Sequence, residues 1–219
     1  MRESADEYDL IKTDMKTLKT ILAGVCMAAA ATSCNQAAQT ETESGNAVIE
    51  TIMARRSIRK YKAEPVDRET MNKILECGIN APSAINKQSW EVRVVDNPAV
   101  MDQIKELMAA ANPEIPAEAV KGCFRDAPTM VFIANDTAFG FSAIDCGLLS
   151  ENIMLSAWSL GVGSVCLGSP VRFIMNSPEA LAMLGFSEGY VPIICIGLGY
   201  ADEAPEAKPR DWNKVRFVE

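Results

Sequence analysis

The chain has 219 residues, 48% apolar and 23% charged, with 21 Lys and Arg against 29 Asp and Glu for a formal charge of -8. That length can bury a sizeable core and the composition is that of a globular protein, while the acidic balance argues against nucleic acid, which needs a basic surface. Histidine is absent, which removes Ser-His and Cys-His nucleophile pairs and disfavours zinc, so no metal ligands are assigned.

The segment "MKTLKTILAGVCMAAAATSCNQ" has two lysines, an apolar run from Ile21 to Ala31 and small residues ending at Cys34. This is the layout of a secretory signal, and the apolar run is too short to span a bilayer alone. Ala-Thr-Ser-Cys at 31–34 resembles a bacterial lipobox, so residues 1–34 are expected to be a leader and Cys34 a lipid anchor facing the periplasm. The acidic-leaning residues before Met15 make a poor leader, so Met15 is the expected start. A cytoplasmic protein with an N-terminal helix is the alternative. Residues 35–46, "NQAAQTETESGN", read as a polar tether, and residues 47–219 as the folded domain.

In that domain Val48, Ile49, Ile52 and Met53 recur at helical spacing, with Asn46 placed as N-cap. Asp67 caps a second helix carrying Met71, Ile74, Leu75 and Ile79 on one face, which ends before Pro82. "SWEVRVVDN" predicts a strand, Pro98 opens a helix over 98–111, and a weaker helix is expected over 116–125. "TMVFIAND" predicts a buried strand. Residues 141–161 predict a long apolar helix closed by Gly161. Asp145 and Glu151 interrupt that helix and make it a core or interface element, not a membrane span. A short strand "VGSVCLGS", a helix capped by Ser177, a buried strand "YVPIICIGLGYAD" and a charged, proline-rich surface arm complete the chain. Helices and strands without a strict βαβ rhythm predict an α+β or three-layer arrangement.

Of seven cysteines, Cys26 and Cys34 lie in the leader. Cys77, Cys123, Cys146, Cys166 and Cys195 show no CxxC spacing, and most of them sit in apolar runs and read as small core hydrophobes, with a single bridge left open.

The stretch "ARRSIRKY", 54–61, places Arg55, Arg56, Arg59 and Lys60 together in an acidic chain. Two readings are open at this point. The cations serve as basic caps at the negative end of a helix, or guanidinium forks with the Ser57 hydroxyl clamp a phosphate. A second stretch, "APSAINKQSW" at 81–90, offers short polar donors from a turn between helix and strand. Together the two have the residue types expected around a polar heterocycle with a phosphate tail.

These two stretches, with the long apolar helix, "GVGSVCLGSP" and "GYADEAPEAKPR", resemble the nitroreductase family of FMN-dependent oxidoreductases over about residues 47–219. The resemblance implies an α+β fold, a three-layer α/β/α sandwich with a mixed, mainly antiparallel central sheet, in an intertwined homodimer. It implies that Arg55, Arg56, Ser57 and Arg59 hold the FMN phosphate and ribityl chain. Lys208 and Arg210 would return to that phosphate from the C-terminal arm. Pro82, Ser83, Ala84 and Asn86 would reach the isoalloxazine ring from the other subunit, and Cys166, Leu167 and Gly168 would bring backbone N–H groups to its reactive edge. Relatives contact the pyrimidine end of the flavin from just before the middle strand. The matching stretch "AVKGCFRDAP" departs from that pattern and leaves only Lys121 or Arg125 as substitutes.

The implied activity is ping-pong hydride transfer from NAD(P)H, or another reductant, through flavin N5 to a nitroaromatic, a quinone or a similar electron-poor acceptor. No catalytic side chain is assigned, since the cofactor carries the chemistry. A lipoprotein beyond the inner membrane would not meet the cytosolic NAD(P)H pool, so export and this donor pull against each other. The alternatives are a non-catalytic flavin-binding electron carrier, an FMN-storing lipoprotein, and a flavin-free interaction lipoprotein on the same scaffold.

Overall fold

Strand β2, Thr129–Asp136, alternates two apolar sets along its length, and both are buried. Met130 and Phe132 face one helical layer while Val131 and Ile133 face another. A strand buried on both faces belongs at the centre of a sheet. In this computed structural model, which describes residues 45–219, β2 indeed lies between β1, Trp90–Val95, and β4, Tyr190–Gly199. β3, Gly163–Leu167, completes a four-stranded sheet in the order β1-β2-β4-β3. Every ladder is antiparallel, with Val94 opposite Val131, Phe132 opposite Cys195 and Val165 opposite Gly197. The expected mixed character reduces, among the described residues, to one isolated parallel bridge between Ser57 and Ser164.

Helices cover both faces, giving the expected α/β/α sandwich. On one face α3, Pro98–Ala111, buries Met101, Ile104 and Met108 against Met130, Phe132 and Val165. The short helices α4 (Ala117–Lys121), α6 (Ser169–Ile174) and α7 (Pro178–Leu184) add Val120, Ile174 and Leu184 to that core. On the other face α2, Arg68–Ile79, and α5, Ser142–Ser159, pack Met71, Ile74, Leu149 and Ile153 against Val131, Ile133 and Ile196. Each such side chain, fully buried, contributes about 1.5–3 kcal/mol.

The helix starts follow their caps. Asp67 accepts from Thr70 N at 2.9 Å, Asn97 from Ala99 N at 2.9 Å, and Ser177 from Ala180 N at 3.4 Å, contacts worth about 1 kcal/mol each. The first helix, α1, is Ala47–Ala54, with Asn46 Oδ1 accepting from Val48 N and Ile49 N.

Two expectations change, and the surface arm stays as expected. The helix over 116–125 stops at Lys121 and tightens into a turn that leaves Arg125 left-handed at φ 57°. The "SPVRFI" segment, for which no helix was predicted, forms α6 with Pro170 in its first turn. The C-terminal arm is exposed, with a single short turn at Trp212–Lys214. All five cysteines of the domain are free thiols. No helix among the described residues is long and apolar enough to cross a membrane. The leader, the proposed start at Met15, Cys34 and the tether up to residue 44 lie outside the described residues. Residues Glu50–Glu219 make one compact unit, and the site lies within it.

Candidate functional site

The basic segment begins where α1 stops. Arg56 Nη1 donates to the carbonyls of Met53 at 2.7 Å and Arg55 at 2.8 Å, so part of the cluster does cap a helix end. The chain then runs extended along β3, where Ile58 N donates to Ser164 O at 2.9 Å and the Ile58 side chain is buried. Tyr61 bridges to Ala201, and its hydroxyl donates to Ile58 O at 2.5 Å. Burial, and then the Glu203 carboxylate, hold that phenol well above its ordinary pKa. Asp202 N donates to Lys60 O at 3.0 Å, and one oxygen of Glu203 accepts from Arg59 N and Lys60 N. Buried Ile58 thus anchors a segment whose backbone is pinned to the exit of β4.

That exit continues into the C-terminal arm, which folds back on the cluster. Arg55, Arg56, Ser57, Arg59, Pro205, Glu206, Lys208 and Arg210 line one cleft of about 230 Å³. Six residues assigned from the sequence, from segments some 150 positions apart, therefore share one wall. Within it Arg55 Nε lies 3.9 Å from Glu151 Oε1, while Arg59 and Arg210 each donate to a nearby carbonyl at 3.3 Å. Among the described residues Arg56, Arg59, Lys208 and Arg210 form no ion pair. Five cations face Glu206 and the distant end of Glu151, in a protein of net charge -8. Charge of one sign concentrated in a concave wall selects an anion, and guanidinium forks beside a hydroxyl fit phosphate oxygens.

Cys166, Leu167 and Gly168 close β3, the strand on which the basic segment docks. Leu167 is buried, with its carbonyl accepting from Cys195 Sγ at 3.2 Å, while Cys166 is exposed. Burial and then Glu151 push the Cys166 thiol above its usual pKa, against the opposing pull of Arg55. Pro82, Ser83, Ala84 and Asn86 stand apart and none of them lines the basic cleft. They form a short turn in which Ser83 Oγ accepts from Gln88 N at 3.0 Å and Ala84 N donates to Asp145 Oδ1 at 3.0 Å.

Of the two substitutes for the pyrimidine end, Lys121 is tied to Glu106 at 2.6 Å. Arg125 lines a second cleft of about 400 Å³ with Ser169 and Phe173, beside the Gly168 turn. Sequence reading missed Glu203, Glu206, Glu151 and Asp145. "DEAPE" beside "AKPR" was the available signal for the first two, since carboxylates flanking a basic pair set its charge and position.

The NADPH-flavin oxidoreductase of Vibrio harveyi is 32% identical over 173 residues, covering 75% of this chain and 70% of its own. The FMN-bound nitroreductase structure from Bacteroides fragilis NCTC 9343 superposes with a TM-score of 0.71 at 28% identity, over 80% of this chain and all of that one. The FMN-bound nitroreductase from Desulfitobacterium hafniense DCB-2 does so with a TM-score of 0.71 at 30% identity, over the same shares. With the nitroreductase family profile matching residues 52–200, the chain belongs to the nitroreductase family.

Proposed function

We propose that this protein is an FMN-dependent NAD(P)H oxidoreductase of the nitroreductase type, with a nitroaromatic, a quinone or a similar small electron-poor aromatic as acceptor. The observation that carries the reading is the cleft in which Arg55, Ser57, Arg59, Lys208 and Arg210 converge. The donor set fits the phosphate end of FMN: four guanidinium groups, one ammonium and one hydroxyl, with little competing carboxylate. FMN bound there supplies the two-electron hydride chemistry that no side chain of this histidine-free protein offers.

The protein's part is positional. Arg55 and Arg59 would hold the phosphate, with Arg56 shared between this wall and the end of α1. Ser57 would offer its hydroxyl to the ribityl side, and Lys208 and Arg210 would reach the same group from the arm that lines the cleft. The end of β3 offers backbone N–H groups at 166–168 to the ring. The 82–86 turn lies away from the cleft of its own chain, which supports a homodimer in which each turn serves the flavin of the partner subunit. Names of similar proteins support the cofactor and the donor, among them the FMN reductase [NAD(P)H] of Bacillus subtilis.

Anaerobic titration of the flavin-loaded protein with NADH and NADPH tests the reading. Bleaching of the flavin by one of them, and reoxidation by 1,4-benzoquinone or a nitroaromatic, is the expected result. A flavin that is reduced but never reoxidised by either acceptor would support the electron carrier instead.

Residues 15–34 support export, with Cys34 as the lipid anchor, through their lysines, apolar run and lipobox-like end. An exported protein would draw on a donor other than NAD(P)H, so a flavin untouched by both nucleotides favours that location.

A further inference from the structure

The turn over 83–89 is bent in a way its sequence does not ask for. Ile85 (φ 52°), Asn86 (φ 56°) and Gln88 (φ 51°) all adopt the left-handed region without being glycine. For a β-branched residue this is a true outlier, and such strain persists only where the surroundings over-determine it. Ile85 cannot be held by its own burial, because it is 88% exposed.

The hold comes from α5. Asp145 is 1% exposed, and one of its oxygens accepts from Ala84 N at 3.0 Å while the other accepts from Ser89 Oγ at 2.6 Å. A single carboxylate therefore grips both ends of the strained turn. No cation pairs with Asp145 among the described residues, and its two oxygens are held by these two hydrogen bonds. Two further ties set the direction of the turn: Lys87 Nζ to Asp136 Oδ2 at 2.9 Å, and Asp136 N to Ser89 O at 3.1 Å. A buried carboxylate without a counter-ion is costly, and a relaxed turn would join α2 to β1 without one.

We propose that Asp145 is a positioning residue. It fixes the strained 83–89 turn so that Ser83, Ala84 and Asn86 meet the flavin ring in one orientation. This rests on the reading above, in which the 82–86 turn contacts the isoalloxazine.

The test compares Asp145→Ala and Asp145→Asn with Ser150→Ala, which removes another buried hydrogen bond on α5, from Ser150 Oγ to Cys146 O. Three signals are read on the full chain: hydrogen exchange of the 84–88 amides without flavin, visible circular dichroism of bound FMN, and the steady-state constants for 1,4-benzoquinone. Asp145→Ala is expected to speed exchange at 84–88 by about tenfold, change the flavin dichroism and raise KM more than it lowers kcat. FMN affinity should hold within about threefold, because the basic cleft is untouched. Asp145→Asn still accepts from Ala84 N and should restore most of each signal.

An Asp145→Ala protein that loses thermal stability but matches Ser150→Ala in all three signals overturns the proposal. Should Asp145→Ala fail to fold, Ser89→Ala removes one of the two contacts and reads the same signals at smaller amplitude. Unchanged signals there overturn it equally. A wild-type protein that takes up no flavin overturns the functional reading and the positioning role with it, and the exchange data still report whether the clamp exists.

Discussion

Glu203 accepts the backbone N–H of Arg59 at 2.5 Å, joining the basic segment to the chain leaving β4 across 144 positions. The same oxygen accepts from Lys60 N at 3.2 Å. The carboxylate thus acts on the backbone that aims the guanidinium groups, without occupying the cleft itself. Bonds to a charged acceptor are the stronger kind.

Glu203→Ala is accordingly expected to weaken FMN binding by about tenfold, with Glu203→Gln intermediate because its amide oxygen still accepts. Flavin fluorescence quenching measures both. An unchanged affinity in Glu203→Ala would show that burial of Ile58 alone fixes the segment.

Gly163 supports the same segment from below. A Cβ built there would sit 2.9 Å from Ile58 Cγ1 and 3.0 Å from Ile58 Cβ, closer than packing permits. Gly163→Ala should displace Ile58, destabilise the fold by about 1–3 kcal/mol and weaken FMN binding in parallel. Gly140→Ala, where nothing lies within 4 Å, is the control and should change stability by less than about 0.5 kcal/mol. Thermal unfolding of the two variants decides the matter.

The thiols give the fold an alkaline limit. Burial pushes Cys123 and Cys146 up to about 12, and Cys195 well above its ordinary value. Each is neutral in the folded state, whereas in the unfolded chain it ionises near its ordinary value of 9.0. Above that pH the unfolded state binds fewer protons, so stability is full below it and falls as pH rises through the folded values. Tyr61 acts in the same direction. Tm measured from about pH 7 to about pH 11 should therefore decline across the upper half of the range. Of the five cysteines described, only exposed Cys77 and Cys166 should react with a thiol reagent in the native protein. A flat Tm or rapid labelling of Cys146 would contradict this.

Sequence and structure agree where charge or period dominates. Arg55, Arg56 and Arg59 stood out because cations cluster in an acidic chain, Lys208 and Arg210 entered only through the family resemblance, and the structure brings all five to one cleft. The buried strand β2 and the Met71 and Ile74 face of α2 followed from apolar pattern alone, whereas Ile79, expected on that face, is exposed at the last position of the helix. Features set by tertiary context stayed hidden. Asp145 in the apolar helix marked it as internal, but nothing local showed that its carboxylate spans Ala84 and Ser89. The left-handed backbone of Ile85 and Gln88 leaves no trace in residue type, since glycine is the usual sign of it. Helix α6 was missed because its six residues are shorter than a reliable helical period and open with Ser-Pro.

The central claim is that the cleft between 55–59 and 205–210 takes the phosphate of FMN, and the most direct measurement compares FMN with riboflavin, which lacks that phosphate. Fluorescence titration of both into the flavin-free wild type, Arg55→Ala and Arg210→Ala isolates the phosphate contribution. The account predicts that the wild type binds FMN at least about a hundredfold more tightly than riboflavin, since two or more charge-assisted contacts are at stake. Added salt should narrow that preference, and each substitution should cut it by about tenfold while leaving riboflavin affinity in place. Equal affinities for the two flavins, or a preference that survives both substitutions, would contradict it.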